Sequence, residues 1–265
     1  MGALNDILDL RGVGIRRGER QILSNVTWRV GAGEHWAVIG ANGSGKTTLL
    51  RIATGYLWVS AGSVAVLGSR FGEVDLRQLR RRLGWVSAAI HEMVHPRQTL
   101  RQIVLSGAFA STALFDEPTD EQRRRAEGLL GQFGLGDVAA TPFAIASFGE
   151  RQRTLIARAM MDQPELLILD EPCAGLDIPG REGLLGGLES LAAGDGRTCL
   201  VLVTHHIEEI TPAFTHALVL RGGRVAACGP KADVLTDEVL SDAFGVNVRV
   251  DAHHGRYWPR VGSRP

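Results

Sequence analysis

The chain has 265 residues, enough for one large domain or two small ones with a substantial core, and its 29 basic and 29 acidic residues cancel, which gives no support to nucleic acid as a partner. Cys173, Cys199 and Cys228 lie far apart with no C-x-x-C pairing, which argues against a disulfide framework or a zinc site and for a reduced cytosolic setting. The most apolar stretches, 166–169 and 199–203, are far shorter than the roughly 20 residues of a membrane-spanning helix, and the N-terminus lacks the basic and apolar regions of a secretion signal.

Taken in order, residues 7–10, 13–15, 21–23 and 26–30 are short β-like runs separated by Gly- and Asn-containing turns, so antiparallel strands are expected. Residues 62–68 read as one more of the same kind. Between them the apolar strand Trp36-Ala37-Val38-Ile39 leads into Gly40-Ala41-Asn42-Gly43-Ser44-Gly45-Lys46-Thr47-Thr48, and a helix-like run follows over 48–53. The nine residues fit G-x-x-x-x-G-K-[ST] in the strand–loop–helix context that this phosphate-binding pattern requires. Glycines let the backbone curl so that successive N–H groups point inward, and the helix adds the positive end of its dipole. Lys46 would reach the β- and γ-phosphates of a nucleoside triphosphate and the Thr47 hydroxyl would ligate Mg²⁺.

From about 96 to 163 the pattern is helical, with runs at 99–105 and 120–132, the second opened by a capping box of Thr119 and Gln122. Glu121 and Arg123 to Arg125 are expected to form a solvated face. Beyond 166 the order is strand, helix, strand, helix (166–169, 183–193, 199–203, 207–214), the mark of a parallel sheet with crossover helices. A hairpin over 217–227, a helix over 232–244 and a final strand pair around 246–258 complete the chain. No repeat or linker is visible, so a single domain over 1–265 is expected, with a helical lobe at about 96–163 and a C-terminal extension at about 230–265.

Asp170 and Glu171 end the strand at 166–169, on the sheet edge where the phosphate loop should open. Asp170 would hold Mg²⁺ through water, and Glu171 would orient or deprotonate the attacking water.

Ala146-Ser147-Phe148-Gly149-Glu150-Arg151-Gln152-Arg153 resembles the signature sequence of ABC ATPases, commonly L-S-G-G-Q-x-Q-R. Ser147 and Gly149 match; Ala146, Phe148 and Glu150 depart, and Phe148 replaces a residue that lets the backbone approach ATP closely. Ser147 can still cap the following helix, whose positive end can meet a γ-phosphate. Ala174-Gly175-Leu176-Asp177 resembles the family's dimer-contacting loop and Val203-Thr204-His205 its switch histidine, which would sense the γ-phosphate through a ring N–H. His206 reads as a helix-start surface residue.

Two places depart further. Where the family stacks an aromatic ring on adenine, the stretch 14–18 offers Arg17, whose guanidinium plane can also stack on a base, with solvated surface as the rival reading. Where the family carries a glutamine stands Ala88, so that either His91 substitutes from a longer reach or the lobes are coupled without that contact. His91 and His95 are spaced like helical metal ligands, but with no third ligand in view the spacing reads as chance.

The resemblance implies an α/β fold of P-loop ABC ATPase type: a mixed-sheet nucleotide-binding core, an N-terminal antiparallel β lobe and an inserted helical lobe. It implies ATP and Mg²⁺ as cofactors, a homodimer or heterodimer of ATP-binding subunits, and separate transmembrane subunits that dock on the helical lobe of a cytoplasmic protein at the inner face of the membrane. Ser87-Ala88-Ala89 and Cys173-Ala174-Gly175-Leu176-Asp177 are similar to a branch associated with molybdenum or other metal-complex transport. The rival readings are a soluble ABC ATPase that drives an assembly process such as metal-cluster assembly, and a binding module without catalysis, the latter disfavoured by the retention of Lys46, Asp170, Glu171 and His205. Cargo and direction of movement are not encoded in these motifs.

Overall fold

The first strands are longer than their sequence runs. In the computed structural model, which describes residues 6–109, 111–112, 114, 116–194 and 196–262 and only the backbone at Arg77, Ala88 and Ala89, residues 7–10 and 13–15 join into β1 (Asp6–Arg17) and residues 21–23 and 26–30 into β2 (Arg20–Gly31). The expected interior turns are instead β-bulges, where the β1–β2 register shifts between Leu10 and Val13 and again between Val13 and Ile15.

The remaining elements are β3 (Trp36–Ile39), α1 (Lys46–Ala53), β4 (Ala61–Val66), β5 (Ser69–Arg70), α2 (Leu76–Arg81), β6 (Leu83–Val86), α3 (Ala88–Met93), α4 (Leu100–Ser106), α5 (Asp120–Gln132), α6 (Phe148–Ala159), β7 (Leu166–Asp170) and α7 (Ile178–Ala192). After these come β8 (Cys199–Thr204), β9 (His216–Arg221), β10 (Arg224–Pro230), α8 (Lys231–Val234), α9 (Asp237–Phe244), β11 (Val248–His253) and β12 (Arg256–Val261). They divide into two compact units, one of residues up to Arg80 together with Cys199 onward, the other Arg81–Thr198.

In the first unit β2, β1, β4 and β5 form an antiparallel sheet in that order. A second sheet has β3 parallel to both β8 and β9, with β10 antiparallel to β9. Every residue of β3 and β8 is buried, as their unbroken apolar sequences require of parallel strands. Trp28 packs edge-on against Trp36 at 5.8 Å, and Trp36 stacks on His216 at 4.8 Å.

The expected helix at 207–214 does not form. A 3-10 turn at Ile207–Glu209 takes its place, because Pro212 disfavours helical backbone at Thr211 and the buried Glu209 carboxylate turns back to accept the Thr204 hydroxyl at 2.6 Å. The expected helix at 232–244 is broken into α8 and α9 by Thr236, whose side chain caps α9.

In the second unit β6 and β7 pair in parallel and helices α3–α7 accompany them. Capping boxes open α4 (Thr99 with Gln102), α5 (Thr119 with Gln122) and α6 (Ser147 with Glu150). One expectation for α5 fails: Arg125 is not part of a solvated face but donates to the carbonyls of Met160 and Met161 at 2.7 and 2.8 Å, closing the C-terminal end of α6. Cys173, Cys199 and Cys228 are not joined in disulfides, and Cys173 and Cys199 are buried. Burial pushes the Cys199 thiol up to about 12, and its Sγ donates to the Glu34 carbonyl.

Candidate nucleotide site

The loop after β3 curls around its own lysine. Lys46, only 6% exposed, donates from Nζ to the carbonyls of Gly40 at 2.7 Å and Ala41 at 3.3 Å. An ammonium loses favourable hydration on burial and is stable there only with acceptors, and these carbonyls supply them. Gly45 precedes α1 at φ 108°, a conformation costly for a residue with a side chain, and the Gly45 carbonyl accepts the Leu49 N–H that starts the helix.

Gly223, in the β9–β10 turn, fastens the loop from outside. Its N–H donates to the Ser44 carbonyl at 2.9 Å and its carbonyl accepts the Ser24 N–H at 2.8 Å. A Cβ at this position would lie 2.1 Å from the Ile22 carbonyl oxygen, so only glycine fits. Sequence reading placed a turn here but not its contact with the phosphate loop.

Whether the loop suits a triphosphate is tested by Ser44. Its hydroxyl is buried and has no hydrogen-bond partner in the structure, a cost of about 1–3 kcal/mol unless a ligand satisfies it. A phosphate oxygen in the curl would accept from Ser44 and from Lys46. Thr47 is exposed beside them, its hydroxyl a hard oxygen donor of the kind Mg²⁺ takes.

His205 lies at the same edge. Ile39 pairs with Thr204 in the parallel β3–β8 register, so the phosphate loop and the histidine leave adjacent strands at their C-terminal ends. Thr204 is 1% exposed and its hydroxyl oxygen accepts the His206 N–H at 3.0 Å, which holds the chain on both sides of His205. His206 sits at the start of the 3-10 turn, as expected of a surface residue there, and pairs with Glu208 at 3.4 Å. Arg17 is exposed at the end of β1, opposite Arg20.

The second unit carries the other candidates. Asp170 ends β7, and Glu171 follows with φ 51°. A left-handed glutamate costs about 1 kcal/mol or more, and the following Pro172 disfavours helical backbone at Glu171. Such strain is characteristic of positions that aim a functional side chain, and no sequence signal announced it. Ser147 is the N-cap of α6: its hydroxyl accepts the Glu150 N–H at 3.3 Å while Glu150 accepts the Ser147 N–H at 2.7 Å. Asp177, expected in a dimer-contacting loop, is the exposed N-cap of α7, accepting the Gly180 N–H at 2.8 Å.

Phe148 turns toward its own unit. Its ring stacks on His91 with centroids 5.3 Å apart and planes 3° from parallel, and it lies over Gly175. The His91 Nε2 meets the buried Gln152 Oε1 at 2.5 Å, so the histidine is bound to the signature helix, while His95 accepts the Arg97 N–H. Among the described residues no group of three His, Cys, Asp or Glu could hold a metal ion.

A glycine-rich loop between a parallel strand and a helix, with a lysine curled into it and a histidine at the neighbouring strand end, defines a P-loop nucleotide-binding protein. The ABC transporter family model matches residues 23–174, and the chain belongs to that family. It is 42% identical over 245 residues to YlmA of Bacillus subtilis, an uncharacterized ABC transporter ATP-binding protein, with 92% of this chain and 93% of that protein covered. Among solved structures it is similar to CbiO1 of Clostridium perfringens, part of the ABC transporter complex CbiONQ, at 26% identity and TM-score 0.78 over 90% of this chain and 94% of that one. It is also similar to the dimeric ATP-binding cassette MJ0796 in a post-hydrolysis state with ADP and Pi, at 27% identity and TM-score 0.72 over 84% and 98% of the two chains. The expected α/β P-loop fold of ABC type is therefore observed, and the chain is an ABC transporter ATP-binding protein. No helix among the described residues is long and apolar enough to cross a membrane.

Proposed function

We propose that the chain hydrolyses ATP as half of a head-to-tail dimer whose ATP-driven closure moves a substrate through separate transmembrane subunits, to which it binds at the cytoplasmic face of the membrane. The observation that carries this is the loop itself: Lys46 held on loop carbonyls beside the unpartnered Ser44 hydroxyl, at the sheet edge of His205.

Lys46 would exchange the Gly40 and Ala41 carbonyls for β- and γ-phosphate oxygens, while loop N–H groups from Ala41 to Thr48 hold the remaining charge. Thr47 and Asp170 would hold Mg²⁺. Bound there, the ion neutralises charge on the phosphate oxygens. Glu171 accepts a proton from water as the water oxygen bonds to the γ-phosphorus and the bond to ADP breaks, giving ADP and phosphate. His205 steadies the γ-phosphate through a ring N–H.

The N-terminus of α6, with Ser147 and the Gly149 N–H, meets the nucleotide held by the other copy. The stacking of Phe148 on His91 supports this reading, because it holds the half-exposed ring against a side chain of its own unit. Asp177 lies in the segment that would touch the second copy, and Arg17 would stack on adenine. ATP can drive closure only through higher affinity for the closed pair, and loss of the γ-phosphate releases it.

Phosphate release by the purified chain with Mg²⁺ and ATP tests the reaction. Lys46→Ala should reduce it to background, and hydrolysis at the wild-type rate in that variant would contradict the assignment.

A further inference from the structure

The C-terminal hairpin β11–β12 lies outside residues 23–174 that match the family model, yet its second strand is seated on the 3-10 turn Ile207–Glu209 that follows His205. A two-stranded hairpin alone is marginally stable in water. Here its root is fixed by Ser241, whose Oγ bonds both the N–H and the carbonyl of Val248 at 2.9 and 3.1 Å, and by Asp237, which accepts the Val250 N–H at 2.8 Å. Its far end reaches back: Arg256 donates from Nη2 to the Glu208 carbonyl at 2.7 Å, with its guanidinium over the Trp258 ring at 5.6 Å. Lys231 ties the same two segments together, donating to the carbonyls of Thr211 at 2.9 Å and Gly255 at 3.1 Å.

The turn receiving these bonds is held from the other side by the buried Glu209–Thr204 hydrogen bond. The chain from Thr204 to Thr211 is therefore clamped between a buried carboxylate within the core and two cations brought in from the hairpin side. A hydrogen bond from a charged donor is stronger than one between neutral groups, and two of them favour one arrangement of a short turn over its alternatives.

We propose that the hairpin is a brace for the His205 turn, with Arg256 its positioning residue, so that turnover depends on a contact 48 residues further along the chain. This rests on the assignment of His205 to the γ-phosphate. Arg256 is bonded to the Glu208 carbonyl, so its loss should leave nucleotide affinity intact and act on the chemical step. A misplacement of about 1 Å at a reacting group costs on the order of a hundredfold in rate, and a partly loosened turn should cost about tenfold.

The test is steady-state hydrolysis and ADP titration of the full chain carrying Arg256→Ala, Arg256→Lys or His205→Ala. The expected result is a kcat about tenfold lower in Arg256→Ala with ADP affinity unchanged, substantial recovery in Arg256→Lys, and faster amide hydrogen exchange at 206–210 in Arg256→Ala alone. If Arg256→Ala does not bind ADP, Arg256→Gln, which keeps the stem and shortens the reach to Glu208, carries the same expectation. Wild-type kcat in the ADP-binding Arg256 variant, or a fall in kcat matched by an equal fall in ADP affinity, would overturn the brace. Near-normal turnover in His205→Ala would instead overturn the assignment of the site on which the brace depends.

Discussion

Ser147 is asked to do two things, and one substitution separates them. As N-cap of α6 its hydroxyl satisfies the Glu150 N–H, so Ser147→Ala should cost about 1 kcal/mol, a fall of roughly 2–4 °C in melting temperature for a chain of this size. If the same hydroxyl donates to a phosphate in the closed dimer, its loss should cost a further 1.5–3 kcal/mol, about 10- to 100-fold in hydrolysis. Ser147→Asp restores the cap, since aspartate ranks with serine there and favours a helix N-terminus electrostatically, but it sets a carboxylate against the triphosphate. Differential scanning calorimetry should therefore find Ser147→Asp at least as stable as wild type, while phosphate release falls below that of Ser147→Ala. Wild-type hydrolysis by Ser147→Asp would refute the placement of this helix end at the nucleotide and leave Ser147 a cap alone.

Two further outcomes follow from the geometry. Gly223→Ala brings a Cβ to 2.1 Å from the Ile22 carbonyl, which must move the turn bonded to Ser44; ATP affinity measured by titration should drop at least tenfold, and unchanged affinity would show that the turn does not hold the loop. Hydrogen bonding to Arg82 holds the Glu165 carboxyl below the ordinary carboxylate range. A depressed folded-state value means that this stabilisation is full above the unfolded value and is lost as pH falls through the folded one, so Glu165→Gln should weaken the acid dependence of urea midpoints and leave their alkaline dependence unchanged.

What the sequence revealed was local. The helix after the glycine-rich loop, the strand that ends at Asp170, the Thr119–Gln122 capping box and the cap at Ser147 are fixed by residues within a few positions of one another, and the structure has these elements. What it hid is set by distant partners. Arg125 looked solvated because Met160 and Met161 lie 35 and 36 residues away, and the run at 207–214 looked helical because the pull of Thr204 on Glu209 carries no pattern. The contact of Gly223 with the loop and the left-handed turn at Glu171 likewise depend on packing, not on spacing. Two of the motif departures, Phe148 and the segment after Ala88, meet in the structure through the His91 stack, a pairing 57 residues apart in the sequence that no single-segment pattern could express.

The central claim is that two copies close around ATP and that Glu171 opens them again by promoting hydrolysis. Sedimentation velocity of Glu171→Gln, with and without ATP, addresses both halves at once. A shift from monomer to dimer on adding ATP, reversed only by nucleotide removal and accompanied by negligible phosphate release, is the result expected; a monomer throughout, or hydrolysis near the wild-type rate, would contradict it.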